Sequence, residues 1–471
     1  MVWQANSNNH ILNTLLMWIS TRVFGSSELA LRLPALLGAG LYIFVCYFIC
    51  KSITNRLGIR LLLLICLTYN PFILDFMVAA RGYSLANAFL LAALAIPIWN
   101  HIEGRPSIYT SCALASAALG LSFTANFSFA FVDLSTFMAI LAYAMKKRKG
   151  QSIAGIIGWC MLPGLSLALL LGGWAMTHMT RDQLWWGAHS LYEMRRSLGQ
   201  SSFYQLPVGF EGTLWYRLMG FFGPRLARFL LLVCSAQILT TCLDGTWRQN
   251  SRMQHLSKLI ATVIAIAAGS ITASWLAFRF FDLPLPLGRT GIYLVPLCTL
   301  AAGMMAAAPG ASWLSKTLRA GIIGSYICLA CYFMLCLRLH YFKEYQPNAD
   351  VKEVYSVLAG LNHTYGVTNP NVAGLYGGAL NYYRERSGKE SFLEFQLENP
   401  ELSAGRSVYV LDGEFWREFI EKEKLSVIYR GRFSNAVVAI RPDARFRPSL
   451  LNMRGNRPHV PVSIYPVAPR D

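Results

Sequence analysis

Charge is what this sequence has least of, and acidic charge above all. Only 14% of its 471 residues are charged, against 54% hydrophobic, and the mean hydropathy is +0.39. That balance excludes an ordinary soluble globular chain. Residues 1–339 carry nine acidic side chains against 25 basic ones, and residues 1–27 carry no acid at all. Residues 340–471 carry 15 against 17, so nearly all of the net charge of +18 belongs to the apolar part. There the basic residues sit between apolar runs instead of along one soluble face. This argues against nucleic acid and for anionic lipid head groups or a phosphate-bearing substrate. The tail also lacks cysteine. All 11 cysteines lie in or beside apolar runs, which excludes a disulfide framework. Cys328 and Cys331 have CxxC spacing, but within a span they read as small packing side chains.

What is present is a series of apolar runs of the length a bilayer demands. About ten spanning helices are expected, near 31–50, 59–78, 83–99, 107–124, 127–145, 152–176, 224–243, 258–280, 291–308 and 319–339. The loops alternate in charge. Lys51, Arg56 and Arg60, then Arg105, Lys146 to Lys149, Arg248 with Arg252 and Lys258, and Lys316 with Arg319 fall on one side. By the positive-inside rule that side is cytoplasmic. A large outer loop (177–223) and the tail from 341 then lie outside. The expected organisation is an outer interfacial helix (1–30), a transmembrane domain (31–340) and a soluble extracytoplasmic α/β domain (341–471). In the tail, helices are expected at Asp350–Tyr365, Val372–Arg386 and Glu414–Lys424, with strands at Ser407–Leu411, Ser426–Tyr429 and Ala436–Ile440. Gly374 to Gly378 reads as a turn or helix break, and Asn362-His363-Thr364 is a glycosylation sequon. No nucleophile, metal or phosphate-loop pattern is visible in the tail.

Ahead of the first span, Ile11, Leu15, Trp18 and Phe24 recur at helical spacing with Asn13, Thr14, Ser20, Thr21 and Arg22 between them. This predicts a helix lying in the membrane interface with Asn8, Asn9 and His10 at its water edge.

Three stretches taken together resemble a known family. The first is HILNTLLMWISTRVFGSSELALRLP, where His10, Gly25 to Glu28 and Leu31 to Pro34 match, although Ile11 and Leu12 stand where the family has paired prolines. The second is NPFILDFMVAARGYSLANAF, with Arg81, Tyr83, Ser84 and Leu85; the third is LPLGRTGIYLVPL, with Arg289, Tyr293 and Pro296. In order and spacing these are similar to the family 39-like glycosyltransferases. That GT-C-fold superfamily includes dolichyl-phosphate-mannose-protein mannosyltransferases and aminoarabinose lipid A transferases. The resemblance covers most of the chain. It implies a GT-C-like polytopic fold and inverting transfer of a sugar from a polyprenyl-phosphate donor to an extracytoplasmic lipid, glycan or protein acceptor, in a bacterial inner membrane. It also implies a carboxylate base on a first outer loop upstream of His10, because a hydroxyl is a poor nucleophile without a positioned base. As residues 1–27 hold no acid, the expectation is that this acid and the family's first span lie upstream of this chain.

The resemblance selects Asn9, His10, Arg81, Tyr83 and Arg289 as substrate-binding candidates. Arg81 reads as a charge snorkelling to the interface or as a phosphate contact, and Arg289 as a phosphate clamp ahead of snorkelling. Arg279 reads more simply as the anchor of a helix end. His10 has no second ligand in its stretch, so hydrogen bonding is its reading, and a divalent metal is left open as the sole cofactor. Asp75, Glu211 and Asp282 are weak candidates for a substitute base. Asp75 reads first as a partner of Arg81, and Asp133 first as a satisfied contact between helices, with a proton relay as the alternative. Aromatic and basic residues of the outer loop (Trp185, Trp186, His189, Tyr192, Arg195, Arg196, Tyr204, Trp215, Tyr216) suit interface anchoring or a lid that stacks on sugar. Two other functions stay open: a non-catalytic relative that scaffolds envelope glycan assembly, and a lipid-linked sugar transporter, which would favour internal repeats that are not seen.

Overall fold

The computed structural model describes residues 9–103, 107–148, 150–180, 183, 186–203, 213–243, 251–309, 312–387, 392–395 and 406–442. Two compact units divide it, Met1–Leu337 and Arg338–Asp471.

The first unit is helical. In chain order it holds α1 (Ile11–Phe24), α2 (Glu28–Ile53), α3 (Leu57–Thr68), α4 (Pro71–Val78), α5 (Tyr83–Glu103), α6 (Ile108–Ala125), α7 (Ala130–Lys147), α8 (Ile153–His178), α9 (Leu191–Ser202), α10 (Leu214–Leu243), α11 (Ser251–Phe281), α12 (Leu294–Ala307) and α13 (Trp313–Leu335). Among the described residues eight helices are long and apolar enough to cross a membrane, and a bent pair makes a ninth. The protein is a multi-pass membrane protein. Its faces show it: Leu169, Leu170 and Trp174 on α8 and Leu231 and Leu232 on α10 are large, apolar and exposed.

Two expected spans differ from the sequence reading. The run at 59–78 is broken into α3 and α4 with a 60° bend. Asn70 caps the second piece by accepting from the backbone N–H of Phe72 (3.0 Å) and Ile73 (3.4 Å), and Pro71 follows at the first helical position. Hydropathy averages over such a stop. The run at 291–308 yields only the 14-residue α12, because a 3-10 turn at Gly288–Gly291 takes its start. The expected loop at 177–223 contains α9, capped by Ser190, whose Oγ accepts from Glu193 N at 3.1 Å, while the Glu193 carboxylate accepts from His189 N at 2.9 Å. Residues 204–212, and with them Tyr204 and Glu211, lie outside the described residues, as do Asp182 and Trp185.

Helix α1 is also tucked in differently. Ile11, Leu12, Asn13 and Ser20 are buried, and the Ser20 hydroxyl donates to the Ala30 carbonyl at 2.7 Å, tying α1 to α2. Trp18, Ile19, Val23 and Phe24 form the exposed apolar part. So Ile11 belongs to the bundle and not to the lipid-facing stripe.

Helices α6 and α8 cross at small residues. Pro163 removes one donor from the α8 ladder, and Gly164 N instead bonds Ser116 Oγ at 2.9 Å on α6. A Cβ on Gly164 would stand 2.3 Å from the Ser116 carbonyl oxygen, and one on Gly120 would stand 2.5 Å from the Gly164 oxygen. Gly164→Ala should therefore cost on the order of 1–3 kcal/mol. The check is the thermal unfolding midpoint in detergent, which should fall clearly below wild type.

The second unit holds α14 (Val351–Tyr365), β1 (Asn371–Val372), α15 (Gly374–Arg386), β2 (Val408–Asp412), α16 (Arg417–Lys422), β3 (Ser426–Arg430) and β4 (Ala436–Ile440). The sheet order is β1-β2-β4-β3, with β1 parallel to β2 and the other pairs antiparallel. Val354, Leu358, Tyr376, Leu380, Tyr409 and Val438 fill its core. The Gly374–Gly378 stretch, read as a turn or break, opens α15, because Tyr376 inside it is fully buried and draws the turn into helix. Asp350, 3% exposed, ties the β3–β4 turn to α14. Its Oδ2 accepts from Phe433 N (2.9 Å), Ser434 N (2.7 Å) and Ser434 Oγ (2.7 Å). Asp350→Ala strands three donors and should destabilise this unit by about 3 kcal/mol, read as a lowered denaturation midpoint of its own transition.

Candidate functional site

The three resembling stretches meet at one end of the helical unit, around His10. His10 precedes α1 and is 8% exposed. Its ring lies 5.2 Å from that of Tyr83, the first residue of α5, and Tyr83 in turn lies 4.5 Å from Phe76 of α4. Between them, Gly82 lets two backbones approach: a Cβ there would stand 1.8 Å from the Ala125 oxygen and 3.1 Å from His10 Cβ. The His10 imidazole donates to that same Ala125 carbonyl at the end of α6, while Nε2 is buried with no hydrogen-bond partner. With Nδ1 as the donor, Nε2 is left as a lone-pair acceptor.

Burial pushes the His10 pKa down from 6.5 to about 3; the positive charge of Arg81 adds to this, the Ala125 bond opposes it, and Arg289 lowers it further. Arg81 and Arg289, from the second and third stretches, both act on one imidazole of the first. And His10 is neutral at any physiological pH, too weak to serve as a general base. Its linkage to stability has a definite sign. Between pH 6.5 and about 3 the unfolded chain binds a proton that the folded one does not. Stability should fall as pH drops through that window, by at most about 1.4 kcal/mol per unit. Denaturation midpoints between pH 7 and 4 should show a shallower acid slope in His10→Gln.

Arg289 sits in the Gly288–Gly291 turn, half-buried, with its guanidinium 5.4 Å from the Trp186 ring centre. That turn is held from outside. Ala188 and Leu285 exchange backbone bonds of 2.8 and 2.9 Å, and Gly288 N donates to Ser197 Oγ on α9 at 3.0 Å. The 186–202 segment thus fastens the Arg289 loop, with Trp186 as its aromatic face. Phe129, in a 3-10 turn at Phe127–Phe129 after α6, packs edge-on against Tyr293 at 5.3 Å.

The other candidates fall apart from this cluster or only beside it. Asn9 is half-buried, and its Oδ1 accepts from Thr14 Oγ1 at 2.9 Å, bracing the first turn of α1. Asp75 is 5% exposed on α4, in the element that leads to the Arg81 turn. Asp282 is exposed, with φ +50°, and directly follows α11. Among the described residues no group of three His, Cys, Asp or Glu could hold a metal ion. Sequence reasoning missed Asn126. It is 3% exposed, its Oδ1 accepts from Ser128 N and Oγ, and its Nδ2 is a buried donor beside the carbonyl that His10 bonds. An Asn between two apolar runs was the available signal.

The site can therefore offer two guanidinium cations, a neutral acceptor nitrogen, a neutral amide donor and an aromatic wall. No family model and no curated protein matches the chain. Among solved structures, the chain is similar to ArnT from Cupriavidus metallidurans in the apo state, with 10% identity over 92% of this chain and 88% of that one and a TM-score of 0.43. It is likewise similar to the same protein bound to undecaprenyl phosphate, with 12% identity over 93% and 89% and a TM-score of 0.42.

Proposed function

We propose that this protein transfers a sugar from a polyprenyl-phosphate donor to an extracytoplasmic acceptor, with inversion at the anomeric carbon. The observation that carries the reading is the convergence of Arg81 and Arg289 on His10 from the three stretches that resemble the family. Two arginines suit the donor phosphate because each can make paired N–H···O bonds and neither can lose its charge. As the glycosidic bond breaks, negative charge grows on that phosphate, and cations fixed beside it lower the barrier. His10 Nε2 accepts from a sugar hydroxyl, Asn126 donates to another, and Trp186 with Tyr83 walls the sugar. The acceptor hydroxyl needs a positioned base, and the neutral, weakly basic His10 does not supply it. The basic end of the bundle, with Lys147, Lys258, Arg56 and Arg319, faces the cytoplasm by the positive-inside rule, so the His10 end faces outward, in a bacterial inner membrane.

The test is an assay of membranes carrying the protein with a panel of labelled polyprenyl-phosphate sugars. The reading requires label to move to an acceptor as free polyprenyl phosphate appears. Saturable donor binding without release, across the whole panel, would instead favour a non-catalytic relative.

A further inference from the structure

One buried carboxylate has no part in the site around His10. Asp133 stands in the first turn of α7 and is 6% exposed, yet neither of its oxygens has a hydrogen-bond partner among the described residues. The satisfied helix–helix contact expected from the sequence is not what is found. Its neighbours are hydroxyls. Ser122 of α6 faces Asp133, and Tyr293, next to it, faces Ser270 and Ser274 of α11. All four are essentially buried.

The Ser122 hydroxyl donates to the Ala86 carbonyl (3.2 Å), Ser270 to Ala267 (2.8 Å), and Ser274 to Ser270 (2.8 Å). On α7 itself, Thr136 donates to Val132 at 2.7 Å and Ser135 to Phe131 at 2.8 Å. Each serine or threonine has one proton, and here each is committed to helix backbone, so what they turn inward is lone pairs. An ionised carboxylate adds only acceptors. Tyr293 brings the single uncommitted hydroxyl proton, and its OH has no settled partner either. A buried cluster of oxygens with almost no donors is costly unless something positive occupies it.

We infer that Asp133, Ser122 and Tyr293 form a binding site for a small monovalent cation of sodium size. Oxygen-only donors suit a hard cation, and one carboxylate neutralises one positive charge, whereas a divalent ion would leave a net charge buried. Occupancy joins α6 and α7 to the start of α12, four residues after Arg289. It thereby stiffens the loop that carries that arginine. The site does not depend on sugar transfer for its existence, and its test does not read activity.

The full chain in detergent is unfolded by heat, followed by tryptophan fluorescence, in NaCl or in choline chloride of equal ionic strength. A saturable rise of the midpoint by a few degrees with sodium is expected, with a weaker effect of potassium. Asp133→Asn should remove the sodium response. Tyr293→Phe keeps the ring against Phe129 and should raise the half-effective sodium concentration about tenfold, which also serves if Asp133→Asn fails to fold. Identical curves for wild type in the two salts would overturn the site. So would a sodium response unchanged in either variant.

Discussion

Arg81→Ala and Arg289→Ala should each lower sugar transfer by about 100-fold or more while leaving the bundle folded. Both side chains are half-buried at one end of the unit, so truncation opens a watery gap and not a core cavity. Their positive charge is needed most when the donor phosphate leaves, so the loss should fall on kcat and kcat/KM together, with KM little changed. Lysine at either position restores charge without the paired geometry and should recover only part of the rate. Arg289→Ala also releases Trp186 from its cation contact, so Trp186→Leu should show a milder defect, mainly in KM. Measuring transfer at several donor concentrations separates these effects. A variant that transfers at the wild-type rate removes that arginine from the phosphate site.

Among the described glycines, Gly82→Ala should be the most damaging substitution to alanine. The added methyl would stand 1.8 Å from the Ala125 oxygen, a backbone atom that can move only with α6. Relief requires the turn before α5 to separate from the end of α6, which breaks the His10–Ala125 bond and swings Arg81 away from His10. A cost of roughly 3 kcal/mol or more is expected, with transfer abolished even in protein that still folds. Gly40→Ala is the matched control, because its Cβ would meet nothing within 4 Å and a helical alanine is favoured over glycine. Its midpoint should equal or slightly exceed wild type.

These predictions rest on contacts that the sequence made only partly legible. Hydropathy identified the apolar runs because a bilayer constrains length and composition far more tightly than water does. It failed at Asn70-Pro71 and at Gly288–Gly291, where local capping and a 3-10 turn interrupt a run whose average stays apolar. The candidates His10, Arg81, Tyr83 and Arg289 stood out through pattern, each beside a turn that punctuates two runs. Their meeting was not, since it depends on Gly82 letting two backbones touch. Asn126 and the hydroxyl cluster around Asp133 stayed hidden for a different reason. A serine in an apolar helix reads as a small packing residue, and only the direction of its proton shows which lone pairs are on offer. In the second unit, the short strand β1 escaped notice because two residues carry no periodicity.

The most direct test of the proposed site is where a photoactivatable polyprenyl phosphate attaches. Irradiated with the full chain in native membranes and mapped by peptide sequencing, the label should fall within 76–83 and 286–293. Unlabelled polyprenyl phosphate should compete it away, and the Arg81→Ala, Arg289→Ala double variant should lose it. Label confined to the opposite, basic end near Lys147 and Lys258, or label within 76–83 and 286–293 that the double variant retains, would rule out a donor site at Arg81 and Arg289.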